Sequence, residues 1–281
     1  MLIDVHSHFF RSPEHFSNDF VEQTRRVAGA SFNLNVLWEQ YHAQAQECDW
    51  TVVFGGKAAL SGLWVPDDEV AAYTRIHSDK TVGFLSVDPA QPGWQDELQH
   101  GHQDLKLKGI KLMPMYAGFY PNDRKIDFLW EYATRHHLPV LLHTGTTFVR
   151  QAPIDCTVPR LIDDVAIRFP QVRIIMAHLS HPYEGECVAV MRKHPNVYTD
   201  CSALHYRPLQ LYHSLMLVQE YKAWGKVLFG SDYPFTTVDA SLAGMRGLNK
   251  MLEGTALPRL DMGQMEAMFH RNSFELLEIE V

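Results

Sequence analysis

Two histidines separated by one residue, His6 and His8, close the first apolar run of the chain, LIDVHSH. Successive strand residues point to opposite faces, so an i, i+2 pair turns both imidazoles to one side, where both can reach a single ion. Neutral imidazole and carboxylate are common ligands of Zn²⁺ and neighbouring divalent cations, and catalytic sites keep a position open for water. An ion so held lowers the pKa of bound water toward about 7 and polarises a carbonyl, which is the chemistry of hydrolysis at neutral pH. The pair alone is a weak signal. With 16 histidines in 281 residues, roughly one His-x-His arises by chance. A second pair, His100 and His102, lies in the polar stretch DELQHGHQDL and reads as solvated surface at a helix end. What separates the first pair is its company: Lys111 in GIKLMP, His143 in LPVLLHTG, His178 in VRIIMAHLS and Asp232 in KVLFGSDYP all sit late in, or just after, apolar runs.

Eight such runs recur along the chain, beginning at Leu2, Asp49, Thr81, Leu107, Leu138, Val172, Asn196 and Lys226. Each is short, apolar or β-branched, and ends in polar residues or glycine, as strands do. Between them the periodicity predicts helices over Val36 to Glu47, Asp67 to Ser78, Trp94 to Leu105, Ile126 to His136, Pro159 to Phe169, Glu184 to Lys193, Leu209 to Ala223 and Val238 to Leu252, with a last helix from Met262 to Leu277. This alternation predicts an α/β fold, a single (β/α)8 TIM barrel over residues 1–281; one domain of about 250 residues is ordinary for that architecture. A doubly wound open sheet would usually carry a glycine-rich phosphate loop after its first strand, and HSHFF stands there instead. In a barrel the C-terminal strand ends converge on one mouth, so the first, fourth, fifth, sixth and eighth strands would deliver the residues above to one place. The stretch from Phe9 to Asn35 is long for a βα loop and is expected to form a lid or wall over that mouth.

Composition bounds the partners. Hydrophobic residues make up 46% of the chain and charged residues 21%, the balance of a globular protein able to bury a large core. The net charge of −8 and the absence of a basic run remove the electrostatic footprint of nucleic-acid binding. No apolar run approaches the roughly 20 residues needed to cross a bilayer, and MLIDVHSHFF does not read as a secretory signal. A small-molecule substrate and a cytoplasmic location are therefore expected. Cys48, Cys156, Cys187 and Cys201 form no CxxC pair and read as reduced, mostly buried thiols.

Read in order, DVHSH, KGIKLMP, LPVLLHTG, AHLSHP, NVYTDCS, FGSDYPF and the closing NSFELLEI resemble the amidohydrolase superfamily along nearly the whole chain, in particular the amidohydrolase-2 branch that includes aminocarboxymuconate-semialdehyde decarboxylase and pyrone-dicarboxylate hydrolase. The resemblance implies that His6, His8, His143 and Asp232 ligate a divalent ion, zinc first and manganese as the alternative. It also implies that Asp232 shuttles a proton and that His178, as the sixth-strand histidine, either binds a second ion or hydrogen-bonds water or substrate, the latter being favoured here. Lys111 is a catalytic candidate in either of two forms. It is a carboxylated bridge if two ions are present, or, with one ion, an amine whose pKa burial beside a cation would depress. Barrels of this branch often pair, so a homodimer is implied as well.

Each candidate has a plainer reading. Asp232 can be a turn residue before Tyr233-Pro234, and a strand-end histidine can serve only to hold a loop. Arg150 and Arg207 can clamp a substrate carboxylate, although exposed arginines are usually just solvated. Tyr116 and His181 are candidate substrate contacts, and the loops around them are rich in aromatic rings that suit a flat ligand but mostly pack. Two reactions share these residues: hydrolysis of a small lactone, ester or amide, and non-oxidative decarboxylation of an aromatic or unsaturated carboxylate, toward which arginine clamps would lean. A non-catalytic binding barrel is the third reading and predicts a lost ligand; none is visibly lost.

Overall fold

The computed structural model describes all 281 residues. Eight parallel strands follow one another round a nearly closed barrel: β1 Ile3–His8, β2 Trp50–Phe54, β3 Thr81–Ser86, β4 Ile110–Leu112, β5 Val140–Leu142, β6 Ile174–Met176, β7 Val197–Asp200 and β8 Val227–Leu228. They fall in the eight runs expected. The helices are α1 Asn18–Ala28, α2 Trp38–Gln44, α3 Asp67–Ile76, α4 Trp94–Gln99, α5 Pro114–Ala117, α6 Asp127–His136, α7 Pro159–Arg168, α8 Glu184–Lys193, α9 Pro208–Glu220, α10 Val238–Arg246, α11 Met262–Phe269 and α12 Ser273–Leu277. Two expected helices are corrected. The run from Val238 tightens after Arg246 into a 3₁₀ segment, Leu248–Leu252. The closing helix breaks before Asn272, whose side chain caps a new start by accepting from the Glu275 amide at 3.3 Å.

Side-chain alternation sorts the core into two layers. Ile3, Val5, Val52, Phe54, Val82, Phe84, Leu141, Ile175, Tyr198 and Leu228 form the barrel interior together with Phe274, Leu277 and Ile279 from the chain's end, which pack beneath them. Their strand neighbours Val53, Leu85, Ile110, Val140, Leu142, Ile174, Met176 and Val197 join the larger cluster between barrel and helices. β1 contains one extra residue between Asp4, paired with Thr51, and Ser7, paired with Val53. Such a bulge re-aims side chains locally, so Val5 belongs to the apolar interior while His6 and His8 meet above it.

The barrel closes between β1 and the segment after β8. Val5 N donates to Phe229 O at 3.0 Å, Asp232 N to His6 O at 2.7 Å and His8 N to Tyr233 O at 2.8 Å. Asp4, wholly buried outside the barrel, clamps this seam: its carboxylate accepts from Ser231 N at 2.8 Å, Ser231 Oγ at 2.6 Å, Tyr41 Oη of α2 at 3.0 Å and His6 N at 3.1 Å. Burial raises its pKa to about 6 against the lowering effect of these bonds.

The lid expected over Phe9 to Asn35 contains a helix that periodicity did not reveal, α1, capped by Ser17 Oγ accepting from Phe20 N at 3.2 Å. It is fastened on two sides. Ser17 N donates to Gly62 O at 2.7 Å beside the antiparallel ribbon of Lys57–Ala58 and Leu63–Trp64, and Arg150 N donates to Gln23 Oε1 at 2.8 Å. Removing the Asp4 carboxylate leaves several buried donors without an acceptor, each costing about 1–3 kcal/mol. Asp4→Ala is thus expected to lower unfolding stability in urea by at least about 3 kcal/mol, and a loss below about 1 kcal/mol would show that the seam does not depend on it.

Candidate metal centre

Above the apolar interior the rim turns polar, and most of the residues singled out in the sequence gather there. His6 is fully buried, and Lys111 with it; His8, His143, His178 and Asp232 are at most 8% exposed. Asp232 Oδ1 lies 3.2 Å from both His6 Nε2 and His8 Nε2. One ligand atom each of His6, His178 and Asp232 falls within 4.8 Å of the others. His143 packs against His178 with ring centroids 5.1 Å apart, but its Nε2 is directed to the Thr146 carbonyl at 3.0 Å. The expected ligands are therefore neighbours, with His178 rather than His143 in the tightest group.

Asp200, at the end of β7, is the residue that sequence reasoning missed. Its Oδ2 accepts from His6 Nδ1 at 2.8 Å, while Oδ1 accepts from His178 N at 2.9 Å, Ser202 N at 3.1 Å and Ser202 Oγ at 2.5 Å. The signal was present: TDCS places a carboxylate at a strand's C-terminal end, in the class of position that Asp232 occupies. Asp200 fixes the rings. The Ser202 hydroxyl donates to Asp200 and so accepts from His178 Nδ1 at 2.7 Å, and the Ser202 carbonyl, at 3.3 Å, can also only accept. His178 therefore carries its proton on Nδ1 and presents a lone pair at Nε2. That atom accepts from a water or ligates an ion; it does not donate to an oxyanion.

Electrostatics agree with this division. Burial pushes His8 and His178 down to about 4 and His143 well below the ordinary imidazole range, so three rings are neutral at pH 7. Burial and Lys111 also oppose charge on His6, but Asp200 outweighs them and raises its pKa. Burial favours protonated Asp232 as well, yet His178 and the hydrogen bonds of His6 and His8 hold it well below the usual carboxylate range. Lys111 falls to about 7, because burial prevails over Asp200 and Asp232; its Nζ lies 3.5 Å from His6 Nε2 and 4.5 Å over the Phe54 ring. The neutral imidazoles of His8, His143 and His178 beside an ionised carboxylate, with the buried His8 Nδ1 lacking any hydrogen-bond partner, form a donor set that fits a divalent cation.

The backbone is strained to serve this rim. His178, Leu179 and Ser180 have φ of 58°, 47° and 53°, and Asp232 has 68°. Non-glycine residues in that region cost about 1–3 kcal/mol each and persist where function or surrounding contacts hold them. Gly230 is needed for closeness, since a Cβ there would lie 2.8 Å from His6 Cβ and 3.3 Å from Ser202 Cβ.

The other candidates divide between the surface and the cluster. Arg150 is exposed, with Nη2 3.4 Å from Asp19 Oδ1 on the lid. Arg207 is exposed and stacks on Tyr206, its guanidinium carbon 4.4 Å from the ring centroid. Neither contacts a residue of the imidazole cluster. Tyr116 is buried with its ring 4.9 Å from that of His143, whereas His181 faces Glu184 at 3.5 Å in the loop after β6. Of the second His-x-His pair, His100 is exposed and paired with Asp104, but His102 is half-buried against Tyr132, 2.9 Å from its hydroxyl. All four cysteines are free thiols, and no helix is long and apolar enough to cross a membrane.

An eight-stranded β/α barrel with clustered imidazoles and a carboxylate at the C-terminal strand ends defines a TIM barrel built around a candidate metal centre. The family profile described as Amidohydrolase matches residues 3–279, and the chain belongs to that family. No curated protein matches the sequence. Among solved structures, an uncharacterized TIM-barrel protein from Bordetella bronchiseptica superposes with a TM-score of 0.76 at 19% identity, over 99% of this chain and 98% of that one. A probable 2-pyrone-4,6-dicarboxylic acid hydrolase from Acinetobacter baumannii, with citric acid bound, gives 0.65 at 13% identity over 99% of both chains. A dihydroxybenzoic acid decarboxylase from Polaromonas sp. JS666, with bound manganese and 2-nitroresorcinol, gives 0.66 at 14% identity over 99% of this chain and 97% of that one. Likeness at such identities establishes the shared barrel, and the proteins so matched include a probable hydrolase and a decarboxylase.

Asp200→Asn removes the charge behind His6 while keeping its shape. Loss of such a supporting carboxylate typically weakens metal binding about 10- to 100-fold, and a chelator competition assay should read that loss. Gly230→Ala, which forces His6 away, should also lower bound metal in elemental analysis. Full metal retention in both variants would show that the His6 position does not hold the ion.

Proposed function

We propose that this chain is a metal-dependent hydrolase of a small lactone, ester or amide. One ion, zinc first with manganese as the alternative, would be held by His6, His178 and Asp232, with His8 and His143 flanking them as further ligands. Such an ion, when bound, activates water and polarises the scissile carbonyl.

The protein's own groups complete the reaction. Asp232, ionised and central to the cluster, takes the proton of the attacking water and returns it to the departing oxygen or nitrogen, so no net proton is consumed in ester or amide cleavage. Lys111, with a pKa of about 7, supplies an N–H donor near neutral pH, and the buried Tyr116, which burial keeps protonated, supplies an O–H. Either can support the oxygen on which charge develops. His178 does not take that role, because its inward nitrogen lacks a proton.

The contacts of the arginines favour hydrolysis over decarboxylation: Arg150 and Arg207, the clamps a carboxylate substrate would need, are both exposed and engaged with Asp19 and Tyr206 rather than with a residue of the imidazole cluster. The test is a panel of lactones, esters, amides and arene carboxylates offered to the metal-loaded protein, with hydrolytic products and CO2 measured together. Hydrolytic product without CO2 is expected, and Asp232→Asn should lower kcat by at least about 10²-fold. CO2 release without hydrolysis would overturn the proposal in favour of a carboxy-lyase.

A further inference from the structure

Residues 12–36 leave the rim and return to it on one flank, beside the ends of β1 and β2. At the outgoing root Trp64 N donates to His15 O at 2.9 Å and Ser17 N to Gly62 O at 2.7 Å, and Phe16 pairs with Leu63. This root therefore runs as an extra antiparallel edge on the ribbon of Lys57–Ala58 and Leu63–Trp64. At the returning root Val36 N donates to Phe10 O at 3.0 Å, and Ser12 N to Asn35 Oδ1 at 2.7 Å.

The far side is held by other means. No backbone–backbone hydrogen bond joins residues 18–34 to anything outside residues 12–36. The polar bonds that tie α1 to the rest of the fold are made through its side chains, and all run to the loop after β5. Gln23, buried, is their hub: Oε1 accepts from Arg150 N at 2.8 Å, and Nε2 donates to Gln151 Oε1 at 3.1 Å and to Asp19 Oδ2 at 2.7 Å. Arg26 Nη2 donates to Phe148 O at 3.2 Å, and Asp19 accepts from Gln151 Nε2 at 3.3 Å and Arg150 Nη2 at 3.4 Å. Beneath α1, Phe20 lies 5.8 Å from Phe148 and 6.4 Å from Tyr116, and Phe32 stacks on Phe235 at 5.5 Å. Tyr116 and Phe235 border His143 and His8, at 4.9 Å and 6.2 Å. The segment thus lies over the imidazole cluster, laddered along one edge and pinned by side chains along the other. Side-chain bonds of this kind contribute singly and open locally, whereas a ladder opens only with its strand.

We propose that residues 12–36 are a flap hinged on its two roots, with Gln23 as the latch, and that release of the latch from residues 148–151 opens the mouth. Motion of such a loop sequesters a site and sets the rate at which small molecules and ions enter and leave it. Gln23 is a positioning residue, acting by holding α1 down. The proposal shares with the hydrolase reading the premise that the mouth is the working site, but does not depend on which reaction runs there.

Hydrogen exchange of the protein, resolved by residue, tests the hinge. The Arg150 amide, on the latch, is expected to be protected at least about tenfold less than those of Trp64 and Val36, on the roots. Arg26→Ala, which touches no bond of Arg150, should speed exchange at the Arg150 amide about threefold and leave the root amides unchanged. Gln23→Met keeps length and packing but loses both polar groups. It should raise the rates of zinc uptake and of zinc release to excess chelator together, each about five- to tenfold, with equilibrium affinity unchanged. Equal protection of latch and root amides, an Arg150 amide indifferent to Arg26→Ala, or unchanged zinc rates in Gln23→Met would overturn the proposal. So would faster release without faster uptake, which would make Gln23 a support of the centre rather than a latch. A protein that takes up no zinc or manganese would sink the hydrolase reading, and the exchange contrast alone would then decide the flap.

Discussion

Everything at the rim depends on the closure of β1 against the segment that follows β8. The amide of Asp232 donates to the carbonyl of His6, and that bond at 2.7 Å joins a would-be proton carrier to its ligand neighbour through the backbone. Sheet closure and site assembly are thus one event. Asp4 makes the event specific, because its carboxylate gathers donors from β1, from α2 and from Ser231 at once. A barrel closed elsewhere or in another register would leave that buried carboxylate without partners, a cost that excludes the alternative.

The interior is graded along its axis. Apolar side chains from the strands fill the lower layers, and the chain's end covers them from beneath; above lie the imidazoles, Lys111, Asp200 and Asp232. Titratable groups in such a place are expensive unless paired, and here each supports another: Asp200 with His6, Ser202 with His178, Asp232 with His6 and His8. Lys111 is the least supported, with His6 Nε2 and the face of Phe54 as its contacts. Its pKa has moved furthest toward neutrality as a result.

Much of this was legible because it is periodic. All eight strands fall in the expected runs, since burial on both faces makes each a nearly continuous apolar stretch. The rim residues followed from those strand ends. What the sequence hid was contact across the fold. Asp200 looks like any polar residue after a strand until the ring of His6 is placed beside it. The left-handed turn at His178 has no glycine to announce it, and α1 has a short apolar face within a charged segment. Arg150 and Arg207 invited a functional reading by their position in loops at the correct end, yet side-chain direction, which composition does not encode, sends them outward.

The bonds that fasten Ser231 to Asp4 span 227 positions of the chain. Ribosomal synthesis therefore delivers the first two imidazoles long before the carboxylate that faces them, and the nascent barrel waits, unsealed, for its final β/α unit. Contacts so distant in sequence form late and slowly. A growing polypeptide of this design exposes an unpaired strand edge for most of its translation, the kind of surface on which unfinished chains pair with one another.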